Sequence, residues 1–129
     1  MKRVRTFKFK KNGYVDLDGT PEYMCNVIKC GDDKYTLRDF KLIEGHDDSL
    51  PYSATLCING KPICKCFNDG CGGDTQLTPI NIQSEVIMKS AKVMLSKFGW
   101  ISKGIKFQLD LTFIADTLAI TENAELKRI

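Results

Sequence analysis

The chain has 129 residues, of which 43% are hydrophobic and 27% charged, and its formal net charge is +3. These proportions are typical of globular domains and exclude a disordered tail, a collagen-like repeat and a coiled-coil rod. No stretch approaches the roughly 18 apolar residues that a membrane span needs, and no apolar stretch follows the basic N-terminus as in a secretory signal. We therefore expect a single α+β domain over residues 1–129, located in the cytoplasm.

The first twelve residues are strongly basic and contain no acid. Their basic residues are Lys2, Arg3, Arg5, Lys8, Lys10 and Lys11. Apolar residues alternate with these charges between Val4 and Phe9, which predicts a β-strand whose lysines protect the edge of a sheet. The same charges suit contacts with the phosphates of a nucleic acid, so both interpretations stay open.

The rest of the first half also has the composition of β-structure, with candidate strands at residues 14–17, 23–30 and 35–43. The third of these would place Tyr35, Leu37 and Asp39 on one face of a sheet. Thr36, Arg38 and Phe40 would then lie on the other face.

The clearest β pattern is Asn59-Gly60 between the apolar-rich runs 53–58 and 61–67. Asn-Gly supplies the positive φ angles of a type I′ hairpin turn. Regular pairing would place Leu56 opposite Ile63. The predicted core face of this hairpin is Ala54, Leu56, Ile58, Ile63 and Phe67.

The second half predicts helices. Thr78 is the expected N-cap of a long helix, with Pro79 at its first position and Gly99 at its end. One face of this helix carries the apolar stripe Ile87, Ala91, Met94, Leu95 and Phe98.

Beyond it, residues 105–113 alternate as a strand does, but Asp110 is also placed to cap a helix. We expect a strand at residues 104–109 and a short helix at 111–120, and a strand within 109–120 stays open as the alternative. The predicted fold is an antiparallel sheet of four to six strands packed against one long helix, with a short C-terminal helix.

The chain has six cysteines, at Cys25, Cys30, Cys57, Cys64, Cys66 and Cys71. They are too few for a disulfide scaffold and lack the Cys-x-x-Cys spacing of a zinc knuckle or redox site, which favours a role as small packing residues without metal. A regular hairpin would place Cys57, Cys64 and Cys66 on one face of the sheet. A zinc site formed by these three with Cys71 therefore stays open as an alternative.

Two segments could contact a partner. Residues 68–73, Asn-Asp-Gly-Cys-Gly-Gly, form either a tight connection or a binding loop, because three glycines let a backbone approach a ligand closely. Residues 32–48 hold six acids against three bases and form either a solvated loop or a surface for a protein that normally holds nucleic acid. His46 is the only histidine. No catalytic constellation accompanies it, so we expect neither an enzyme nor a cofactor.

Residues 52–73 read Tyr-Ser-Ala-Thr-Leu-Cys-Ile-Asn-Gly-Lys-Pro-Ile-Cys-Lys-Cys-Phe-Asn-Asp-Gly-Cys-Gly-Gly. This segment resembles one in small, uncharacterised proteins of phages and other mobile elements, in which an Asn-Gly or Asp-Gly turn leads into Asn-Asp-Gly-x-Gly-Gly. Residues 35–40 are similar to the approach strand of that group. The resemblance covers about residues 34–73 and brings no activity with it. It implies an accessory protein of a mobile genome inside a host cell, a setting in which small inhibitors of host defence are common.

The leading hypothesis is therefore a non-enzymatic inhibitor that occupies a surface of a host defence complex, such as a CRISPR nuclease. Its predicted partner-binding residues are Asn68, Asp69, Gly70, Gly72, Gly73, Asp32, Asp33, Asp47 and Asp48. One alternative is a small nucleic-acid-binding protein that uses the basic N-terminal segment. Another is a nucleotide binder or enzyme centred on the glycine loop and His46.

Overall fold

The structure is a computed structural model that describes residues 5–9, 14–16, 25–43, 50–70 and 73–126. Several residues named above lie outside these ranges: Lys2, Arg3, Lys10, Lys11, His46, Asp47, Asp48, Cys71 and Gly72. Within the described ranges the chain forms nine strands and two helices. In chain order these are β1 (Thr6–Phe9), β2 (Tyr14–Asp16), β3 (Val27–Cys30), β4 (Asp33–Leu42), β5 (Tyr52–Ile58), β6 (Lys61–Asn68), β7 (Gln76–Pro79), α1 (Ile82–Leu95), β8 (Gly99–Ser102), β9 (Ile105–Gln108) and α2 (Leu111–Leu126).

The strands form two sheets. The larger has the order β1-β3-β4-β5-β6-β7 and the smaller the order β2-β8-β9. The predicted α+β class is confirmed, and β1 lies at the sheet edge as expected. The prediction of a wholly antiparallel sheet is wrong, because β1 pairs parallel to β3 and β2 pairs parallel to β8.

Two helices cover one face of the large sheet, where the sequence predicted one long helix and one short one. α2 has 16 residues and packs on β3 and β4, while α1 has 14 residues and packs on β6 and β7. α2 runs past the predicted end at residue 120 because Thr121 is fully buried and its hydroxyl accepts a hydrogen bond from the Cys25 amide (3.0 Å). The core lies between the sheet and these helices, and its largest members include Tyr35, Leu56 and Leu118.

The Asn59-Gly60 hairpin is confirmed, with φ of 54° and 83° at the two turn residues. Ile58 pairs with Lys61 as predicted, but Leu56 pairs with Cys64 and not with Ile63. Ile63 is an extra residue in β6, a β-bulge that follows Pro62. Proline has no N–H to donate, so the regular ladder is weakest at this point.

The bulge changes which side chains of β6 reach the core. Cys64 and Cys66 share the face of Leu56 and are buried, whereas Phe67 points to the opposite face and is 45% exposed. The predicted core position of Phe67 is therefore wrong. The prediction of one face for three cysteines is also wrong, because Cys57 adjoins Leu56 along β5 and points away from Cys64 and Cys66.

The start and end of α1 differ from the prediction. Residues 76–79 pair with β6 as β7, and the helix begins after Asn81, whose Oδ1 accepts a hydrogen bond from the Ser84 amide at 2.8 Å. Asn81 takes the N-cap because the β7 ladder already holds the backbone of Thr78. The helix ends at Leu95, and Gly99 begins β8, a strand that the sequence analysis missed.

Two other predictions for the second half are confirmed. The apolar stripe of α1 faces the core, with Ala91 and Leu95 buried. Asp110 caps α2 by accepting a hydrogen bond from the Phe113 amide at 2.7 Å. Neither described helix is long and apolar enough to cross a membrane.

Candidate functional site

The two faces of the large sheet differ in chemistry. The face under the helices carries buried side chains such as Ile28, Tyr35 and Leu56. The opposite side, which we call the open face, carries the residues that alternate with them. Six of these are cations from four strands: Lys8, Lys29, Lys34, Arg38, Lys41 and Lys65.

The six cations are available to a ligand. Lys29 is half-buried and the other five are exposed. None of them forms a salt bridge with an acid in the part of the chain that the structure describes. Of the predicted N-terminal cations, Lys8 belongs to this set, whereas Arg5 lies on the helix side. There burial of the Cys25 thiol raises its pKa to about 11, and the positive charge of Arg5 acts against this shift.

Three of the lysines form a row across adjacent strands. Lys29 lies directly opposite Lys8 on one side and Lys34 on the other. Adjacent strands are about 4.8 Å apart, so three positive charges occupy roughly 10 Å. Like charges directly opposite each other destabilise a sheet, which means that the free protein is less stable than it would be with neutral residues here.

Beside this row, the open face has a trough along β5. Its floor consists of the small residues Ser53, Thr55 and Cys57. Long side chains rise on both sides in register: Lys41 and Phe67 flank Ser53, and Arg38 and Lys65 flank Thr55. The walls are two strand spacings apart, about 10 Å. This β5 trough includes a groove of about 510 Å³.

Hydrogen bonds hold two of the wall cations over the floor. Lys65 Nζ donates to Thr55 Oγ1 at 3.1 Å, and Arg38 Nη2 lies 3.9 Å from Cys57 Sγ. These contacts explain why Thr55 and Cys57 are buried although neither described helix covers them. The cations are therefore partly ordered before any ligand arrives, which lowers the entropy cost of binding.

A β-bulge in β4 adds one acid to the trough. The ladder with β5 breaks between Arg38 and Lys41, and Asp39 adopts φ of 57° there. Asp39 is exposed and lines the groove, while Phe40 turns to the helix side and stacks on Tyr52 (centroids 5.8 Å apart). The predicted alternation of faces is therefore wrong beyond Arg38, because the bulge reverses it.

The predicted glycine loop is anchored from within. Asn68 is buried: its Nδ2 donates to Thr75 Oγ1 (3.1 Å) and to the Gly73 carbonyl (3.3 Å), and its Oδ1 accepts from the Gly70 amide (2.8 Å). Gly70 is buried too, with φ of 81°. Asn68 and Gly70 therefore hold the described part of this loop in place, and of its described residues Asp69 and Gly73 are exposed.

The acidic residues that the sequence grouped with this loop lie at the other end of the sheet. Asp32 is exposed in the turn before β4, and Asp33 Oδ1 accepts a hydrogen bond from Asn59 Nδ2 at 3.0 Å. Asn68 of β6 is level with the opposite end of β4, because it pairs with Tyr52 of β5, which pairs with Leu42 of β4. A strand of ten residues spans about 30 Å. The described members of the predicted partner-binding set therefore form two separate surfaces.

Asp116 of α2 joins the loop to the helix layer, and the sequence analysis did not single it out. Its Oδ1 accepts hydrogen bonds from Tyr52 Oη (3.0 Å) and Thr75 Oγ1 (2.5 Å). Burial raises the pKa of this carboxyl, and the two hydroxyl donors partly oppose the shift. The arrangement ties β5, the loop and α2 together, and so we interpret it as a structural anchor.

The described cysteines are buried free thiols. Burial raises the pKa of Cys30 to about 12, and a hydrogen bond with Cys64, together with burial, raises the pKa of Cys66. Among the residues that the structure describes, no group of three or more His, Cys, Asp and Glu side chains is placed to hold a metal ion. Cys57 is separated from Cys64 and Cys66 by the sheet itself, and Cys71 lies outside the described residues.

Comparison with known proteins adds no evidence about the function of this site. No protein-family model matches the chain, and searches of curated proteins and of solved structures found no match.

Proposed function

We propose that this protein is a non-enzymatic nucleic-acid-binding protein that holds phosphates on the open face of its large sheet. The observation that supports this most strongly is the row Lys8, Lys29 and Lys34, in which three unpaired cations lie side by side. If this face only had to be soluble, opposite charges in such a row would make the sheet more stable than like charges do. The row stabilises a bound polyanion instead, and releasing the counterions of the nucleic acid favours binding.

The remaining cations extend this row into a path for a chain of phosphates. Lys34, Arg38 and Lys41 follow one another along β4 over about 23 Å. Lys65 faces Arg38 across the trough. The proposal keeps Lys8 from the basic N-terminal segment and moves the main contact surface to strands in the middle of the chain.

The salt dependence of binding tests this proposal. A fluorescent single-stranded oligonucleotide of 20 nucleotides is titrated at several NaCl concentrations between 20 and 300 mM. The triple variant Lys29→Gln, Lys34→Gln, Arg38→Gln should bind more weakly. The slope of log affinity against log salt should become shallower by about 2, since each lost contact to a single strand removes about 0.7.

The matched control neutralises three exposed cations that lie outside the large sheet, as Lys92→Gln, Lys97→Gln, Lys103→Gln. It makes the same change in net charge and should keep most of the affinity and the slope. Equal loss in both triple variants would mean that net charge alone attracts the strand. Absence of binding by the wild-type protein at 20 mM NaCl would reject the function.

A second candidate function is the inhibition of a host defence complex. It is favoured by the anchored loop, because the hydrogen bonds of Asn68 hold the exposed residues Asp69 and Gly73 in one conformation, which suits a protein interface. A pull-down against purified nuclease effectors, with Asp69→Lys as the interface variant, tests it. Retention of an effector that Asp69→Lys abolishes supports inhibition, and failure to retain any effector of the panel counts against it.

A further inference from the structure

We propose that the β5 trough binds single-stranded nucleic acid, with one base stacked on Phe67 and with Asp39 selecting guanine at that position. This inference rests on the proposed function and names the class of nucleic acid that the protein binds. It is carried by the placement of an exposed aromatic ring and an exposed carboxylate in one basic groove.

Phe67 supplies a stacking surface at the right place. Its ring is 45% exposed because the bulge at Ile63 turns it to the open face, and it lies in register with Lys41 across Ser53. A base on this ring would have Lys41 across the trough and Lys65 two residues away along β6, both within reach of the flanking phosphates. Aromatic side chains between cations are the general means of holding single strands, because every base has a π-face.

The geometry favours a single strand over a duplex. A duplex keeps its bases stacked inside, so no base can stack on a ring in the wall of this trough without being flipped out. A trough about 10 Å wide with a floor of Ser53, Thr55 and Cys57 admits one extended strand between its walls. The small floor residues leave room for the base. The cations of the walls are then within reach of the phosphates of the bound strand.

Asp39 is the feature that a site for phosphate alone does not explain. A carboxylate repels phosphates, yet this one is exposed in the middle of the basic groove by a bulge in β4. Ionised aspartate only accepts hydrogen bonds. Guanine presents two adjacent N–H donors on its Watson–Crick edge, which match the two carboxylate oxygens. Asp39 thus favours guanine over bases that present fewer donors.

Oligonucleotides of eight thymidines, with one central position changed to G, A or C, test the inference by fluorescence anisotropy at 50 mM NaCl. Wild-type protein should bind the G-containing strand most tightly. Phe67→Ala should weaken binding of every strand by about 5- to 100-fold, and Phe67→Trp should restore it. The control Phe107→Ala removes an exposed aromatic ring from the small sheet and should leave affinity unchanged.

Asp39→Asn separates base selection from folding, because asparagine tolerates the left-handed backbone found at this residue. It should abolish the preference for G while binding the eight-thymidine strand at least as tightly as wild type does. RNA strands of the same sequences show whether the sugar matters, and a blunt duplex should bind more weakly than either single strand.

Three results would overturn this inference. They are wild-type affinity in Phe67→Ala, a G preference that survives Asp39→Asn, or tighter binding of the duplex. Each leaves the proposed function standing as long as binding remains salt-dependent and sensitive to the Lys29, Lys34 and Arg38 substitutions. Failure of wild-type protein to bind any strand would reject both.

Discussion

The row of lysines predicts an unusual effect on stability, since removal of a charged side chain should stabilise the free protein. Lys29 has a lysine directly opposite on each side. With charged ends about 6 Å apart in water, each like-charge pair costs roughly 0.7 kcal/mol, within the range of about 0.2–1 kcal/mol for cross-strand pairs. Lys29→Thr relieves both pairs and keeps a residue that favours strands. We expect about 1 kcal/mol of added stability.

Urea unfolding at 20 and 500 mM NaCl measures this effect. The gain should appear at 20 mM and largely vanish at 500 mM, where the Debye length is only about 4 Å. Lys41→Thr is the matched control, because Lys41 lies opposite Ser53 and pairs with no lysine among the described residues. If Lys29→Thr destabilises the protein at both salt concentrations, or gains as much at 500 mM as at 20 mM, the repulsion argument is refuted. The same substitution should weaken oligonucleotide binding, which would place stability and binding in opposition at one residue.

Three further predictions concern the helix side. Tyr52→Phe should lower the free energy of unfolding, measured in urea, by about 1–2 kcal/mol, because the Tyr52 hydroxyl donates to Asp116. Tyr35→Phe should be neutral or stabilising, because the buried Tyr35 hydroxyl has no hydrogen-bond partner among the described residues. Equal losses in the two variants would contradict the hydrogen-bond assignment. Because burial raises the pKa of Asp116, ionisation of this carboxyl opposes folding. The stability of wild type should therefore fall relative to that of Asp116→Asn as the pH rises above the ordinary pKa of 3.8. A difference in stability between the two proteins that stays constant from pH 4 to 7 would exclude this effect. Asn81→Ala should cost about 1 kcal/mol by removing the N-cap of α1, and unchanged thermal stability would disprove that role.

The sequence was most informative where local chemistry decides the structure. Asn59-Gly60 predicted the hairpin because few residue pairs adopt two positive φ angles, and Asp110 predicted the start of α2 because its side chain caps a nearby amide. The failures came where pairing with a distant segment decides. Thr78 and Pro79 have the local features of a helix start, but β6 recruits them as a strand.

The candidate site was harder to predict because bulges and strand order create it. Regular alternation placed Phe67 in the core, and a single extra residue at Ile63 moves it to the open face. Lys8, Lys29 and Lys34 come from three strands, and only their register brings them together. A nearby cue existed in the proline before the bulge, since Pro62 cannot continue a regular ladder.

The order of strands also determines what happens when the backbone is cut. A break between β4 and β5 would leave β1, β3 and β4 of the large sheet on one fragment and β5, β6 and β7 on the other, and it would separate β2 from β8 in the small sheet as well. Neither fragment could complete a sheet by itself. Reassociation of the two halves would rebuild both sheets at once, so the chain is suited to fragment complementation, with recovery of the trough between β4 and β6 as the readout.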